Sequence, residues 1–340
     1  MHTLVRAAAL TNYMQVAEQL GLNPIEQLRE VGLTPGMLEP RDRLISLDST
    51  VRLLERSASK ANCPNFGLRM AELRQLAHFG VTSILLSHQR CPRDVLQMTI
   101  QYRHVLNESL ALYLEESHGT CVIREEILTD EPMPLVQATE LALAVIVQMF
   151  RAIAGVHWRP QTVHFTHAAP ATLEVHRRVF KCRIEFDSDF NGISCPASDL
   201  DIPNPAADPM MAQYARHFID TLPAHNANPV VTNVKRAIYL LLPMGKATIE
   251  QVALSMGTSI RSLQRDLDLH QESFSQLLNG IRRELALRYM ENARFEIGHV
   301  AVQLGYSRHA SFTRWFIQQF GMSPARWRHH RRLDRHGQGV

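Results

Sequence analysis

Ile249-Glu-Gln-Val-Ala-Leu-Ser-Met-Gly257 and Ile297-Gly-His-Val-Ala-Val-Gln-Leu-Gly305 repeat one pattern at an offset of 48 residues in a chain of 340. Isoleucine, valine, alanine and glycine recur at matching places. In each copy the apolar residues fall at i, i+3, i+4 and i+7, which is one face of a helix. The alanine is small enough for a second helix to cross closely. The glycine suits a left-handed turn. Together they read as a helix, a tight turn and the start of another helix, the helix-turn-helix arrangement.

A second helix is expected after each turn. Following Gly257, Ile260, Leu263 and Leu267 form the inward stripe, which leaves Ser259, Arg261, Ser262, Gln264 and Arg265 facing out. Arg261, Gln264 and Arg265 share a face at i, i+3 and i+4. Arginine can grip guanine O6 and N7 with two bonds, and glutamine can do the same for adenine. Following Gly305, Phe312, Trp315 and Phe316 point inward, and Arg308, His309, Thr313 and Arg314 are the outward polar candidates. This copy carries one extra residue after its glycine. Between the copies, Phe274, Leu277, Leu278, Ile281, Leu285, Tyr289 and Met290 mark a connecting helix over 273–293. Its expected length of about 31 Å approaches the roughly 34 Å of one DNA turn, so two outward helices on such a spacer suit successive major grooves.

Charge agrees. The chain's net charge of +3 hides a split: residues 230–340 hold 16 Lys and Arg against 8 Asp and Glu, whereas the rest holds 20 against 25. A basic third on a mildly acidic body suggests a polyanion partner, double-stranded DNA, for that third alone. The fold expected is therefore an α+β N-terminal domain with a helix-rich start, then an all-α domain with two helix-turn-helix units joined by a long helix. The domains are residues 1–202 for effector sensing or dimerisation, 203–229 as linker, 230–330 for DNA and 331–340 as a basic tail.

In the body, helices are expected near Val16–Leu20, Leu28–Val31, 50–61, 95–106, 134–154 and 173–180. Strands are expected at 111–114, 121–127, 161–165, 182–186 and 192–195, with a polar turn over 115–120. Pro203, Pro205, Pro209, Pro223 and Pro229 mark the linker, with a short helix near 210–221. The apolar run Leu141–Phe150, bounded by Glu140 and Arg151, is too short to span a bilayer and reads as a buried helix. No export signal is visible, and five scattered cysteines, Cys63, Cys91, Cys121, Cys182 and Cys195, suit reduced thiols. A cytoplasmic, nucleoid-associated protein without membrane contact is expected.

The ending, Val300-Ala-Val-Gln-Leu-Gly-Tyr-Ser307 through Ser311-Phe-Thr-Arg-Trp-Phe316 to Phe320-Gly-Met-Ser-Pro-Ala-Arg-Trp-Arg328, resembles the most recognisable segment of the AraC/XylS family of bacterial regulators. That resemblance covers about 235–330. Gly21-Leu-Asn-Pro24, Asn65-Phe-Gly-Leu-Arg69, Phe79-Gly80, Cys91-Pro92 and Phe180–Pro203 resemble the arabinose-binding-type N-terminal region of one branch. The resemblance implies a body that senses a small molecule or supports homodimerisation, and an activator that recruits RNA polymerase. It favours Arg261, Gln264 and Arg265 in the first unit and His309, Thr313 and Arg314 in the second as base readers. The helix-rich start departs from the β-rich effector domain of other branches.

Other chemistry finds little support. His164, His167 and His176 do not form the three or four convergent ligands that zinc needs. Glu115-Glu116 and Glu125-Glu126 are strand neighbours that face opposite ways. There is no P-loop, G-x-S-x-G or dinucleotide fingerprint, so neither catalytic residues nor a cofactor are expected. Ada-type repair methyltransferases share the helical module but need a reactive cysteine site not found here. The alternative is a DNA-binding regulator whose body serves only dimerisation or protein interaction.

Overall fold

The structure, a computed structural model, describes residues 3–75, 81–103, 107, 109–129, 133–220, 229–291 and 295–337. The Phe79-Gly80 pair, the end of the helix expected over 95–106, residues 221–228 of the linker, the last residues of the spacer helix and 338–340 lie outside them. The chain forms two compact units, Met1–His225 and Asn226–Val340.

The first unit contains β1 (Leu4–Arg6), α1 (Tyr13–Gln19), α2 (Pro24–Glu30), β2 (Leu44–Ser46), α3 (Leu47–Lys60), α4 (Phe66–Glu72), α5 (Val81–Ser87) and α6 (Pro92–Gln101). After them come β3 (Leu110–Ser117), β4 (Thr120–Ile127), α7 (Val136–Ala154), β5 (Thr162–His164), α8 (Glu174–Phe180), β6 (Arg183–Glu185), β7 (Asn191–Pro196) and α9 (Pro209–Asp220). β1 and β2 pair antiparallel, Val5 opposite Ile45. The larger sheet runs β3-β4-β7-β5-β6, antiparallel except for the parallel β5–β6 pair. The β3–β4 turn is only His118-Gly119, because Glu115 and Glu116 remain paired in β3 opposite Val122 and Cys121. The wider polar turn read from composition is corrected: a run of polar, exposed residues at the end of an edge strand looks like a turn.

α7 is long and apolar enough to cross a membrane by length and composition. Here it is a core helix, packed on β4 and β7 and against α3, α4, α6 and α8. Gly67 explains one of the sequence likenesses. A methyl group there would sit 2.2 Å from the Gln137 carbonyl oxygen, so only glycine lets α4 approach α7, and the Gly67 N–H donates to Gln137 Oε1 at 2.9 Å. Two acids are sealed in this core. Glu140 Oε1 lies 2.7 Å from His176 Nε2. Glu125 is buried with no hydrogen-bond partner for either oxygen among the described residues. Burial, aided by Glu126, pushes its pKa well above the carboxylate range and favours the neutral acid.

Proline spacing suggests a connector over 203–229 with a short helix near 210–221. The structure instead ties most of the described part to the first unit. Asn204 donates to the carbonyls of Ser87 and Gln89, both at 2.8 Å. α9 packs on α5, burying Ala215 and Ile219 with Leu85 and Tyr102. α4, α5 and the β1–β2 pair were not foreseen.

The second unit is all helical: α10 (Pro229–Leu241), α11 (Ile249–Ser255), α12 (Ile260–Leu269), α13 (Phe274–Glu291), α14 (Ile297–Gln303), α15 (His309–Phe320) and α16 (Pro324–Gly337). α10 packs on α11, α12 and α13, while α13 packs on α14 and α16. The basic end is not a loose tail, since α16 runs through 337. Trp327 is buried against Phe316, and Arg328 donates to the Phe295 carbonyl at 2.6 Å.

Candidate nucleic-acid interface

Each repeat builds the same turn, bond for bond. α11 starts at Thr248, whose hydroxyl accepts the Gln251 N–H, and buries Val252 and Ala253. At its end Gly257, with φ +63°, donates to the Leu254 carbonyl at 3.0 Å, and Thr258 donates to the Ala253 carbonyl at 3.0 Å. α14 buries Val300, Ala301 and Leu304. At its end Gly305, with φ +74°, donates to Val302 at 2.8 Å, and Tyr306 donates to Ala301 at 2.9 Å. These paired 5→2 and 6→1 bonds form the Schellman cap, which needs a residue tolerant of left-handed φ at its hinge. The recurring alanine thus has a second role, since its carbonyl receives the longer bond.

The helices after the two turns differ in how they begin. Ser259 caps α12 by accepting the Ser262 N–H at 3.1 Å and donates to Ser262 Oγ at 3.0 Å. Arg308, at the start of α15, makes no side-chain cap bond. Leu263 and Leu267 bury the inner face of α12. Ile260 does not join them: it is 38% exposed. The expected inward stripe is corrected there. Arg261, Gln264 and Arg265 are exposed, and Ser262 is half-buried. Arg265 also reaches Asp266 at 3.2 Å, an exposed pair of little strength.

On α15, Arg308, His309 and Arg314 are exposed, and Thr313 is half-buried with Oγ1 3.5 Å from His309 Nδ1. Phe312 and Phe316 are fully buried and Trp315 is half-buried. Around them Tyr306, Phe320 and Trp327 complete an aromatic cluster. Sequence reasoning missed Arg282 on α13. Its Nε donates to the Leu304 carbonyl at 3.1 Å, and its guanidinium lies 4.6 Å from the Tyr306 ring centroid. Burial lowers its pKa and raises that of Tyr306. Arg282 is a brace for the second turn, and its partner, a backbone carbonyl, leaves no mark in side-chain patterning.

The spacer stripe holds: Leu277, Ile281, Leu285, Tyr289 and Met290 are buried, with Phe274 and Leu278 half-buried. α13 has 18 residues, about 27 Å. Among the described residues no group of three His, Cys, Asp or Glu is placed to hold a metal ion. His164 pairs with Glu185 at 3.1 Å, and His167 and His176 both approach Glu140.

Among known families, residues 21–204 match the N-terminal arabinose-binding domain of AraC transcription regulators, and residues 252–330 match a helix-turn-helix domain. The HTH-type transcriptional regulator VirS of Mycobacterium tuberculosis is 28% identical over 329 residues, covering 96% of each chain. The ornithine utilization regulator of Pseudomonas aeruginosa is 25% identical over 334 residues, again covering 96% of each chain. Of solved structures, the transcriptional regulator CdpR of Pseudomonas aeruginosa is similar with a TM-score of 0.45 and 18% identity, over 90% of this chain and 96% of that one. With matches to both of its halves, this chain belongs to the AraC family of helix-turn-helix transcription regulators, in the branch that carries an arabinose-binding-type N-terminal domain.

Proposed function

We propose that the protein is a ligand-responsive activator that reads two adjacent major-groove segments, one with each repeat. The observation that carries this is the duplicated Schellman turn, each copy followed by a helix with an exposed polar face. In the first unit Arg261, Gln264 and Arg265 read bases, with Ser259 and Ser262 at the helix start. In the second, His309, Thr313 and Arg314 read bases and Arg308 sits beside them. The first unit senses a small effector, and RNA polymerase recruitment is implied by the family resemblance. The protein acts by binding, not by catalysis, and works on the nucleoid in the cytoplasm.

Selection of bound sequences from a random DNA pool tests this. Two blocks of preference separated by about one helical turn, 10–10.5 bp, are expected. A single block would refute reading by both units. One observation favours the alternative of a body used only for dimerisation: Met210, Met211, Tyr214 and Phe218 on α9 are all exposed. Sedimentation of the protein with Tyr214→Ser decides that point, since a dimer unaffected by the change does not use this face.

A further inference from the structure

The first unit contains a cavity of about 140 Å³ bounded by β1, α3, α7 and the start of β3. Interiors pack to near crystal density, so a hole of this size is a feature to explain. Its walls are mostly apolar, Leu54, Ile127, Leu141, Val145, Ile146 and Met149 among them. No Asp or Glu lines it among the described residues.

Its polar lining is lopsided. Thr50 and Thr99 commit their hydroxyl protons to the carbonyls of Ser46 and Val95, both at 2.8 Å. Asn107 turns Oδ1 onto Ser109, accepting from its N–H at 3.1 Å and its hydroxyl at 2.6 Å, which leaves the NH2 edge of the amide on the other side. Two arginines, Arg6 and Arg74, are among its lining residues. Arg6 pairs with Asp42 at 3.0 Å. Arg74 donates through Nη2 to the carbonyls of Ala8 and Ala9 at 2.9 and 2.8 Å, which ties it to a backbone segment that itself lines the cavity. Burial, with the charge of Arg41 acting the same way, lowers Arg74 to about 10. It is still a cation at pH 7, in surroundings where an incoming negative charge is stabilising.

With Arg6 already paired to Asp42, a cationic ligand would still meet the like charge of Arg74 and no lining acid. A sugar would bury several hydroxyls against hydrocarbon, each costly without a partner. An anion on an apolar body satisfies both the charge and the walls. An apolar cavity of about 150 Å³ holds a six-carbon ring, which sets the size. We propose that this cavity is the effector site and takes a short apolar monocarboxylate, its carboxylate on Arg74 and its body of about six carbons among Leu54, Leu141, Val145 and Ile146. The assignment rests on the reading of this unit as effector-sensing.

Thermal melting of the full-length protein, with hexanoate, hexan-1-ol, hexylamine and arabinose as probes, tests it. Hexanoate raises Tm saturably, since a ligand of the native state alone adds to its stability. Hexan-1-ol binds about tenfold or more weaker, and hexylamine gives no shift. Ala142→Leu, which fills the cavity from α7, keeps the unliganded Tm and loses the hexanoate shift. Arg74→Met abolishes the preference for acid over alcohol. A parent protein that shows no hexanoate shift, or binds acid and alcohol equally, overturns the assignment irrespective of the variants. So does a hexanoate shift that survives Ala142→Leu. If arabinose or another neutral metabolite shifts both Tm and DNA affinity regardless of Ala142→Leu, effector sensing stands and the cavity assignment falls. If no compound of a broad metabolite panel shifts either quantity, effector sensing itself fails.

Discussion

The two helix-turn-helix units share one turn but hold their second helices differently. In the first, Gly257 has open space around its α-carbon, two leucines anchor α12, and a serine cap starts it. In the second, Gly305 lies against the residue just past α10: a methyl there would be 3.2 Å from the Leu242 carbonyl oxygen and 3.3 Å from Leu242 Cδ1. An aromatic cluster anchors α15, and Arg282 braces the turn. The shared part is local and encoded within nine residues. The unshared part is tertiary and came from separate choices in each copy. The second turn therefore has more tertiary contacts to hold it than the first.

The largest expected effect comes from Phe316→Ala. Phe316 is fully buried and touches Phe312, Trp315, Phe320 and Trp327. Removing a ring at such a site costs about 3–5 kcal/mol, enough to unfold the unit and abolish binding to any DNA. Denaturant unfolding of the full-length protein reads this, and a loss under about 1 kcal/mol would break the claim that aromatics hold the second unit.

Next come the hinge glycines, which test the difference directly. Gly257→Ala forces alanine into a left-handed conformation at about 1–2 kcal/mol. Gly305→Ala bears the same strain plus overpacking against Leu242, a further ~1–3 kcal/mol. Unfolding midpoints of the two variants should therefore differ. Equal losses would mean that Leu242 yields freely and that the second turn is no better fixed than the first.

Legibility in the sequence divides along the same line between local and tertiary. The repeat was legible because helical periodicity and a left-handed glycine are local signals. Ile260 falls on the periodic stripe yet is 38% exposed, because periodicity gives a residue's face on the helix and not what packs against it. The helix near 210–221 is legible but its docking on the body is not, because it buries only Ala212, Ala215 and Ile219 and its partner α5 lies more than a hundred residues earlier. Arg282 was invisible because it serves the carbonyl of Leu304. The cavity could not be read at all, since its lining runs from Val5 to Met149 and only the fold brings these residues together.

Arg265→Ala is expected to cost about 1–3 kcal/mol of discrimination between the selected site and one altered under the first unit. Arg314→Ala should do the same under the second. Fluorescence anisotropy with matched and altered duplexes measures both. An equal loss on every sequence, with a shallower salt dependence, would reassign that arginine to phosphate.

The smallest effect is the most discriminating for Ser259. Its hydroxyl is already engaged twice with Ser262, so its plainest role is to start α12, and Ser259→Ala should cost about 0.5–2 kcal/mol of stability. Arg308, in the equivalent place on α15, makes no cap bond, so Arg308→Ala should leave stability within about 0.5 kcal/mol and weaken DNA binding alone. Asparagine caps about as well as serine. Ser259→Asn therefore separates the two roles: stability returns in either case. If DNA affinity returns with it, Ser259 acts only through the helix it begins. If stability returns and affinity does not, the hydroxyl itself meets the DNA, and the starts of both recognition helices touch the duplex despite their different caps.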